Sequence, residues 1–148
     1  MGKMSVGFLG EYEYSIDLKG RISIPPRFRE LFSDGLILCR GFERCITVYS
    51  PCEWEKMTEV LVSRPLTRVK SRRLSRAFFS GAFRTELDGQ GRVILPAYLR
   101  EYGKIEDGAV VVGVNSYLEI WSKQLWAEEK VLSEEEAWQI AEGIELRT

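Results

Sequence analysis

The sequence predicts an α+β, β-rich fold made of two tandem copies of one small unit, with helices around them. Three observations predict it. Shifted by 71 positions, residues 8–30 lie over residues 79–101, and eight of those 23 positions are identical. Each copy alternates short strand-like stretches with Gly and Pro punctuation. One unit of about 50 residues is too small to bury much surface alone, so the two copies are expected to pair.

The identical pairs are Phe8/Phe79, Gly10/Gly81, Asp17/Asp88, Gly20/Gly91, Arg21/Arg92, Pro25/Pro96, Arg29/Arg100 and Glu30/Glu101. In copy one, residues 12–16 alternate apolar and polar side chains as a strand, and Asp17-Leu18-Lys19-Gly20 turns the chain. Residues 21–24 return as a second strand with Ile22 and Ile24 on one face. Pro25-Pro26 stops it and opens a short helix over 27–32, because proline suits a first helical turn. Residues 36–39 and 45–49 then form a hairpin, and a helix starts at Pro51. Copy two repeats the pattern with strands over 81–87 and 92–95, the turn Asp88-Gly89-Gln90-Gly91, a helix over 96–102, and a hairpin from 109–113 and 117–121. A helix from Ser122 follows. One further residue of shift aligns Ile46-Thr47-Val48-Tyr49-Ser50 with Leu118-Glu119-Ile120-Trp121-Ser122, and Trp54 with Trp126; both tryptophans are expected to anchor the helix that follows.

The organisation is therefore repeat 1 (8–54), a helical basic linker (55–78), repeat 2 (79–126) and an acidic C-terminal helix (127–148). The linker carries Arg64, Arg68, Lys70, Arg72, Arg73 and Arg76, with a break at Pro65. Its apolar positions, Val60, Leu61, Leu66, Val69, Leu74 and Phe78, predict one packed face with the cations solvated. Those cations read either as a charged surface or as a phosphate contact or subunit interface. In the C-terminal segment, Ser133 with Glu136 has the capping-box pattern, and a docking helix is expected.

Net charge is −1, which by itself argues against a polyanionic partner. Its distribution argues otherwise. Through Ile105 there are 18 basic and 12 acidic residues; from Glu106 onward there are 3 and 10. Histidine is absent, which removes His-dependent triads and His metal sites. Cys39, Cys45 and Cys52 fit no CxxC spacing and read as free thiols in a reducing compartment. No apolar run approaches the roughly 20 residues that span a bilayer. Met1-Gly2-Lys3-Met4-Ser5 lacks the apolar core of a signal peptide, so a soluble, cytosolic protein is expected.

The paired motifs Asp17-Leu18-Lys19-Gly20-Arg21 and Asp88-Gly89-Gln90-Gly91-Arg92 carry the chemistry. Each sets Asp and Arg four apart across a glycine-containing turn, where the carboxylate can orient the guanidinium. An oriented arginine suits bidentate binding to phosphate or to guanine O6 and N7 better than a mobile lysine. A local ion pair that merely holds a hairpin is the plainer reading of one such motif; its doubling favours a repeating ligand.

These residues resemble the SpoVT/AbrB-type swapped-hairpin DNA-binding module, and two tandem copies in 148 residues resemble the MraZ family of bacterial transcriptional regulators. The resemblance rests on Phe8-Leu9-Gly10-Glu11-Tyr12, on residues 17–29 with Ile24-Pro25-Pro26-Arg27-Phe28-Arg29, and on Leu87-Asp88-Gly89-Gln90-Gly91-Arg92. It implies intertwined β-hairpins forming a small pseudo-two-fold barrel with peripheral helices. It also implies a ring-like homo-oligomer that binds tandem direct repeats of double-stranded DNA upstream of the cell-division and cell-wall gene cluster, and that represses the cluster, its own gene included. By the resemblance, Asp17, Lys19, Arg21, Asp88 and Arg92 form the DNA-binding motif, in a cytoplasmic, nucleoid-associated protein. Arg27, Arg29 and Arg100 are candidate ancillary phosphate contacts. Copy two holds Gln90 where copy one holds Lys19, so its turn is less basic.

A rival reading makes the chain a structural or protein-interaction oligomer in which the Asp/Arg turns are scaffolding. An enzyme is the weakest reading. Arginine beside Asp17 and Asp88 should keep both ionised and poor as general acids, and the sequence has no phosphate-loop glycine pattern. No catalytic residue, metal site, cofactor, small-molecule substrate or membrane contact is assigned.

Overall fold

The computed structural model describes residues 7–144. The signal-peptide reading of residues 1–5 and the end of the 127–148 segment lie outside them. The order of elements is β1 (Glu11–Ser15), β2 (Arg21–Ser23), a 3-10 helix (Pro26–Phe32), β3 (Leu36–Arg40), β4 (Ile46–Tyr49), α1 (Pro51–Val62), α2 (Val69–Ser80), β5 (Phe83–Thr85), β6 (Arg92–Ile94), α3 (Ala97–Tyr102), β7 (Gly108–Gly113), β8 (Leu118–Trp121) and α4 (Lys123–Glu142). The fold is α+β, with one antiparallel six-stranded sheet in the order β1-β7-β8-β4-β3-β5 and a separate two-stranded ribbon, β2-β6.

That order shows how the copies combine. The hairpins β3–β4 and β7–β8 meet in the middle, with Ile46 opposite Ile120 and Val48 opposite Leu118. The outer strands are exchanged: β1 of copy one pairs with β7 of copy two, and β5 of copy two pairs with β3 of copy one. The ribbon pairs β2 with β6, Ile22 facing Val93. The expected hairpin across Asp17–Gly20 is thus only a turn. It keeps the reciprocal bonds Asp17 N to Arg21 O and Gly20 N to Asp17 O, and its strands then part to different partners. Period-2 alternation fixes which face of a strand is apolar but leaves the partner open.

Both faces of the central strands are covered, which is why β4 is buried at every position. On one face, Leu36, Leu38, Val111 and Ile120 pack with Ile22, Ile24 and Val93 of the ribbon region and with Phe28, Phe32 and Leu99 of the short helices. On the other face, Cys39 and Tyr49 pack with Leu61 of α1 and Phe78 of α2. Beside them, Cys45, Val110, Val112 and Trp121 pack with Leu125 and Trp126 of α4. Trp54 lies against Phe78 at 5.1 Å and Trp126 against Trp121 at 5.7 Å, so the paired tryptophans do anchor their helices. The α1 and α4 N-termini are capped alike, by Ser50 and Ser122.

Two expectations need correction. Only Leu61 and Phe78 of the linker's apolar set are buried; Val60, Leu66, Val69 and Leu74 are exposed, because the linker is two separate helices and each contributes one anchor. Ser133 caps nothing: α4 runs unbroken through it from Lys123, and its hydroxyl donates to Glu129 one turn back. The boundary between repeat 2 and the C-terminal helix therefore falls inside one continuous helix. Cys39 and Cys45 are buried and Cys52 is exposed. Burial pushes the Cys39 thiol up to about 12 and raises Cys45 further, so both stay protonated and inert.

Candidate nucleic-acid interface

Each turn is built by its aspartate. Asp17 Oδ1 accepts the backbone N–H of Lys19 and of Arg21, both at 2.9 Å, and its Oδ2 accepts Arg21 Nε at 2.7 Å. Asp88 repeats this: Oδ1 accepts Gln90 N and Arg92 N at 2.9 Å, and Oδ2 accepts Arg92 Nε at 2.9 Å. A short carboxylate can fold back on the next two amides, which sets the chain reversal and leaves one oxygen for the guanidinium. Those amide bonds, foremost from Arg21 and Arg92, hold both carboxyls below their usual value of 3.8. Both turns thus favour the ionised aspartate, the form that closes the clamp.

Cross-copy pairing brings the two turns together. Ile24 N donates to Gly91 O at 2.9 Å and Leu95 N donates to Gly20 O at 2.8 Å, so each copy's strand ends against the other copy's turn. Arg92 Nη1 lies 3.8 Å from Asp17 Oδ2, a contact between copies. With Ile22 and Val93 turned into the core, alternation points Arg21, Ser23, Arg92 and Ile94 outward on the same ribbon face. Ser23 and Ile94 share that face although the motifs do not single them out; period-2 alternation from Arg21 and Arg92 is the signal that finds them. The guanidiniums spend Nε on carboxylate and keep their outer nitrogens at a partly exposed surface. Lys19 and Leu18 stand exposed at the tip of the first turn, and Gly89 and Gln90 at the tip of the second.

The ancillary arginines are placed differently from one another. Arg27 is exposed, 6.0 Å from the Tyr12 ring centroid. Arg29 and Arg100 are half-buried, and each donates Nε to a backbone carbonyl of its own copy, Ile24 O at 2.9 Å and Leu95 O at 3.0 Å. Each guanidinium also fills the space beside a turn glycine of the other copy: Arg100 under Gly20, Arg29 under Gly91. Both glycines have positive φ, +79° and +75°. A methyl on Gly91 would collide with the Arg29 guanidinium, whereas one on Gly20 would sit 3.2 Å from Arg100. Gly91→Ala is therefore expected to cost more than the roughly 1–2 kcal/mol of a left-handed residue alone. Thermal melts should place Gly91→Ala below Gly20→Ala, and both below the parent chain.

Fold and site together define a tandem-repeat α+β protein that displays two carboxylate-clamped arginines on a ribbon shared between its copies. The family described as "MraZ protein, putative antitoxin-like" matches residues 8–77 and again 78–142. A protein named Transcriptional regulator MraZ from Dehalococcoides mccartyi (strain BAV1) is 50% identical over 139 residues, 93% of this chain and 98% of that protein. Proteins of the same name from Desulforamulus reducens and Desulfitobacterium hafniense (strain Y51) are 44% and 48% identical, covering 93% and 82% of this chain and 96% and 85% of their own length. The chain belongs to the MraZ family.

Proposed function

We propose that the chain is a DNA-binding transcriptional regulator whose β2-β6 ribbon enters the major groove of duplex DNA. The observation that carries this is the pair of Asp-clamped arginines, Arg21 and Arg92, set diagonally on one face of a two-stranded ribbon, Arg21 opposite Ile94 and Arg92 opposite Ser23. A groove about 12 Å wide admits such a ribbon, and a fixed guanidinium reads guanine O6 and N7 or grips phosphate. Lys19 adds a phosphate contact at the first tip. Arg29 and Arg100 support the turns, and Arg27 remains free to reach the backbone. The names of the relatives support regulation of transcription.

The finer reading follows the family resemblance. The pairing of β1 with β7 and of β5 with β3 supports reading the two copies as a swapped-hairpin small barrel. Several copies form a ring that engages tandem direct repeats in the chain's own promoter, ahead of the division and cell-wall genes, and repress them. The protein then works in the cytoplasm at the nucleoid; no helix among the described residues is long and apolar enough to cross a membrane. One chain offers few contacts, so the ring gains affinity by raising the effective concentration of neighbouring sites. No catalytic role is proposed: Asp17 and Asp88 are held ionised by their turns and are poor proton donors.

Footprinting on the chain's own upstream DNA tests this. Protection over regularly spaced short repeats is expected, with affinity falling steeply as salt rises, since each neutralised phosphate releases counterions. Protection independent of sequence, or none at low salt, would favour the rival reading as a protein-interaction oligomer.

A further inference from the structure

The two halves of the ribbon are equivalent by sequence, and they differ most at one pair of positions on the exposed face. The 71-residue shift places Arg21 on Arg92, Ile22 on Val93 and Ser23 on Ile94. Antiparallel register then sets two equivalent rows across the ribbon, Arg21 opposite Ile94 and Arg92 opposite Ser23. Each row holds one arginine clamped by the aspartate of its own turn. Beside that arginine stands an isoleucine in the first row and a hydroxyl in the second. Ile94 is 52% exposed, the one apolar side chain among the four outward positions. The core takes Val93 before it and Leu95 after it, and leaves Ile94 outside. A surface hollow opens at the same row, lined by Arg21, Arg92, Ile94, Thr85, Glu86 and Leu87.

We infer that Ile94 determines specificity by packing on the C5-methyl of a thymine next to the guanine held by Arg21. This role rests on the proposed entry of the ribbon into the major groove and names what the groove presents at that row. Side chains directly opposite in an antiparallel pair have Cβ atoms about 4.5–5.5 Å apart, so Arg21 and Ile94 meet the same or neighbouring base pairs. A G·C pair carries no methyl, so the methyl belongs to the neighbouring T·A pair. Thymine is the one base that offers an apolar group in that groove, and an apolar side chain is its partner. In the second row the Ser23 hydroxyl can donate or accept, which suits any base beside the guanine of Arg92. The ribbon therefore reads a sequence with a direction, methyl-bearing at one end and tolerant at the other. Each bound chain then has one preferred orientation on the duplex. A strand isoleucine that serves β-propensity alone would weaken binding to every duplex alike.

Uracil substitution tests it, because deoxyuridine keeps the hydrogen-bonding groups of thymine and lacks only the methyl. Gel shifts use duplexes of the chain's own upstream DNA in which each thymine in turn is replaced by deoxyuridine. For the parent, one thymine beside a guanine in each bound site should lose about fourfold in affinity, the value of burying one methyl-sized group. Ile94→Ala should bind the thymine duplex about fourfold more weakly, match the parent on that uridine duplex, and lose nothing further there. The exchange Ser23→Ile with Ile94→Ser should move the sensitive thymine to the guanine of Arg92. Circular dichroism checks each fold; should Ile94→Ala unfold, Ile94→Thr keeps the β-branch and is read in the same way. A parent indifferent to every methyl overturns the assignment. So does an Ile94→Ala chain with parent-like sensitivity or an equal loss on both duplexes, or an exchange that leaves the sensitive thymine in place. A parent that binds the thymine duplex but ignores its methyls removes only the role of Ile94; a parent that binds no duplex even at low salt removes the DNA reading with it.

Discussion

Arg21→Ala is expected to lower affinity for promoter DNA by about tenfold to a hundredfold, the roughly 1–3 kcal/mol attributed to one oriented arginine at a base edge. The fold should survive. Arg21 and Asp17 are partly exposed, and exposed ion pairs contribute at most about 1 kcal/mol. Asp17 would still hold the turn through the amides of Lys19 and Arg21, which need no side chain at position 21. Arg92→Ala should weaken binding less. Copy two places Glu86 and Gln90 where copy one has Ser15 and Lys19, so the field around Arg92 is less attractive to phosphate. Gel shifts on each variant, with circular dichroism as the folding control, decide this. Equal affinity of Arg21→Ala and the parent would remove Arg21 from the interface.

Ile22→Ala carries the largest expected cost in stability. Ile22 has no exposed surface, faces Val93 across the ribbon, and packs into the main core. Truncating a fully buried isoleucine costs about 2–5 kcal/mol, because the lost burial is joined by the cavity left behind. At this chain length each kcal/mol lowers the melting temperature by about 2–4 °C. The ribbon would loosen with it, so DNA affinity should fall even though Ile22 points away from solvent. A melting temperature within a degree of the parent would show that the ribbon is not seated through this side chain.

What was legible in the sequence was local. The Asp-x-x-x-Arg turns could be read because an aspartate, two amides, a positive-φ glycine and a guanidinium all lie within five residues. The helices after each hairpin could be read from Ser50 and Ser122 with Trp54 and Trp126 behind them. What local pattern could not supply was exchange between the copies, which only the family resemblance implied. Nothing in the alternation of β1 indicates that Tyr12 meets Val111, almost a hundred residues away, rather than its neighbour across the turn. The placement of Arg29 and Arg100 depends on that same exchange, since each fills the space beside a glycine of the opposite copy. The apolar spacing of the linker misled for a related reason. Leu66, Val69 and Leu74 fit a buried face, but the sheet area beneath is already covered by Leu61 and Phe78.

On the proposed reading, the fixed guanidinium fork, not positive charge alone, gives the ribbon its specificity for DNA. Replacing Arg21→Lys and Arg92→Lys together keeps the charge and removes the fork. Affinity for the promoter repeats and for random duplex, measured side by side at one salt concentration, is the most direct test. Random-DNA affinity should change little while the ratio of specific to random binding collapses. A doubly substituted chain that keeps the parent ratio would contradict it.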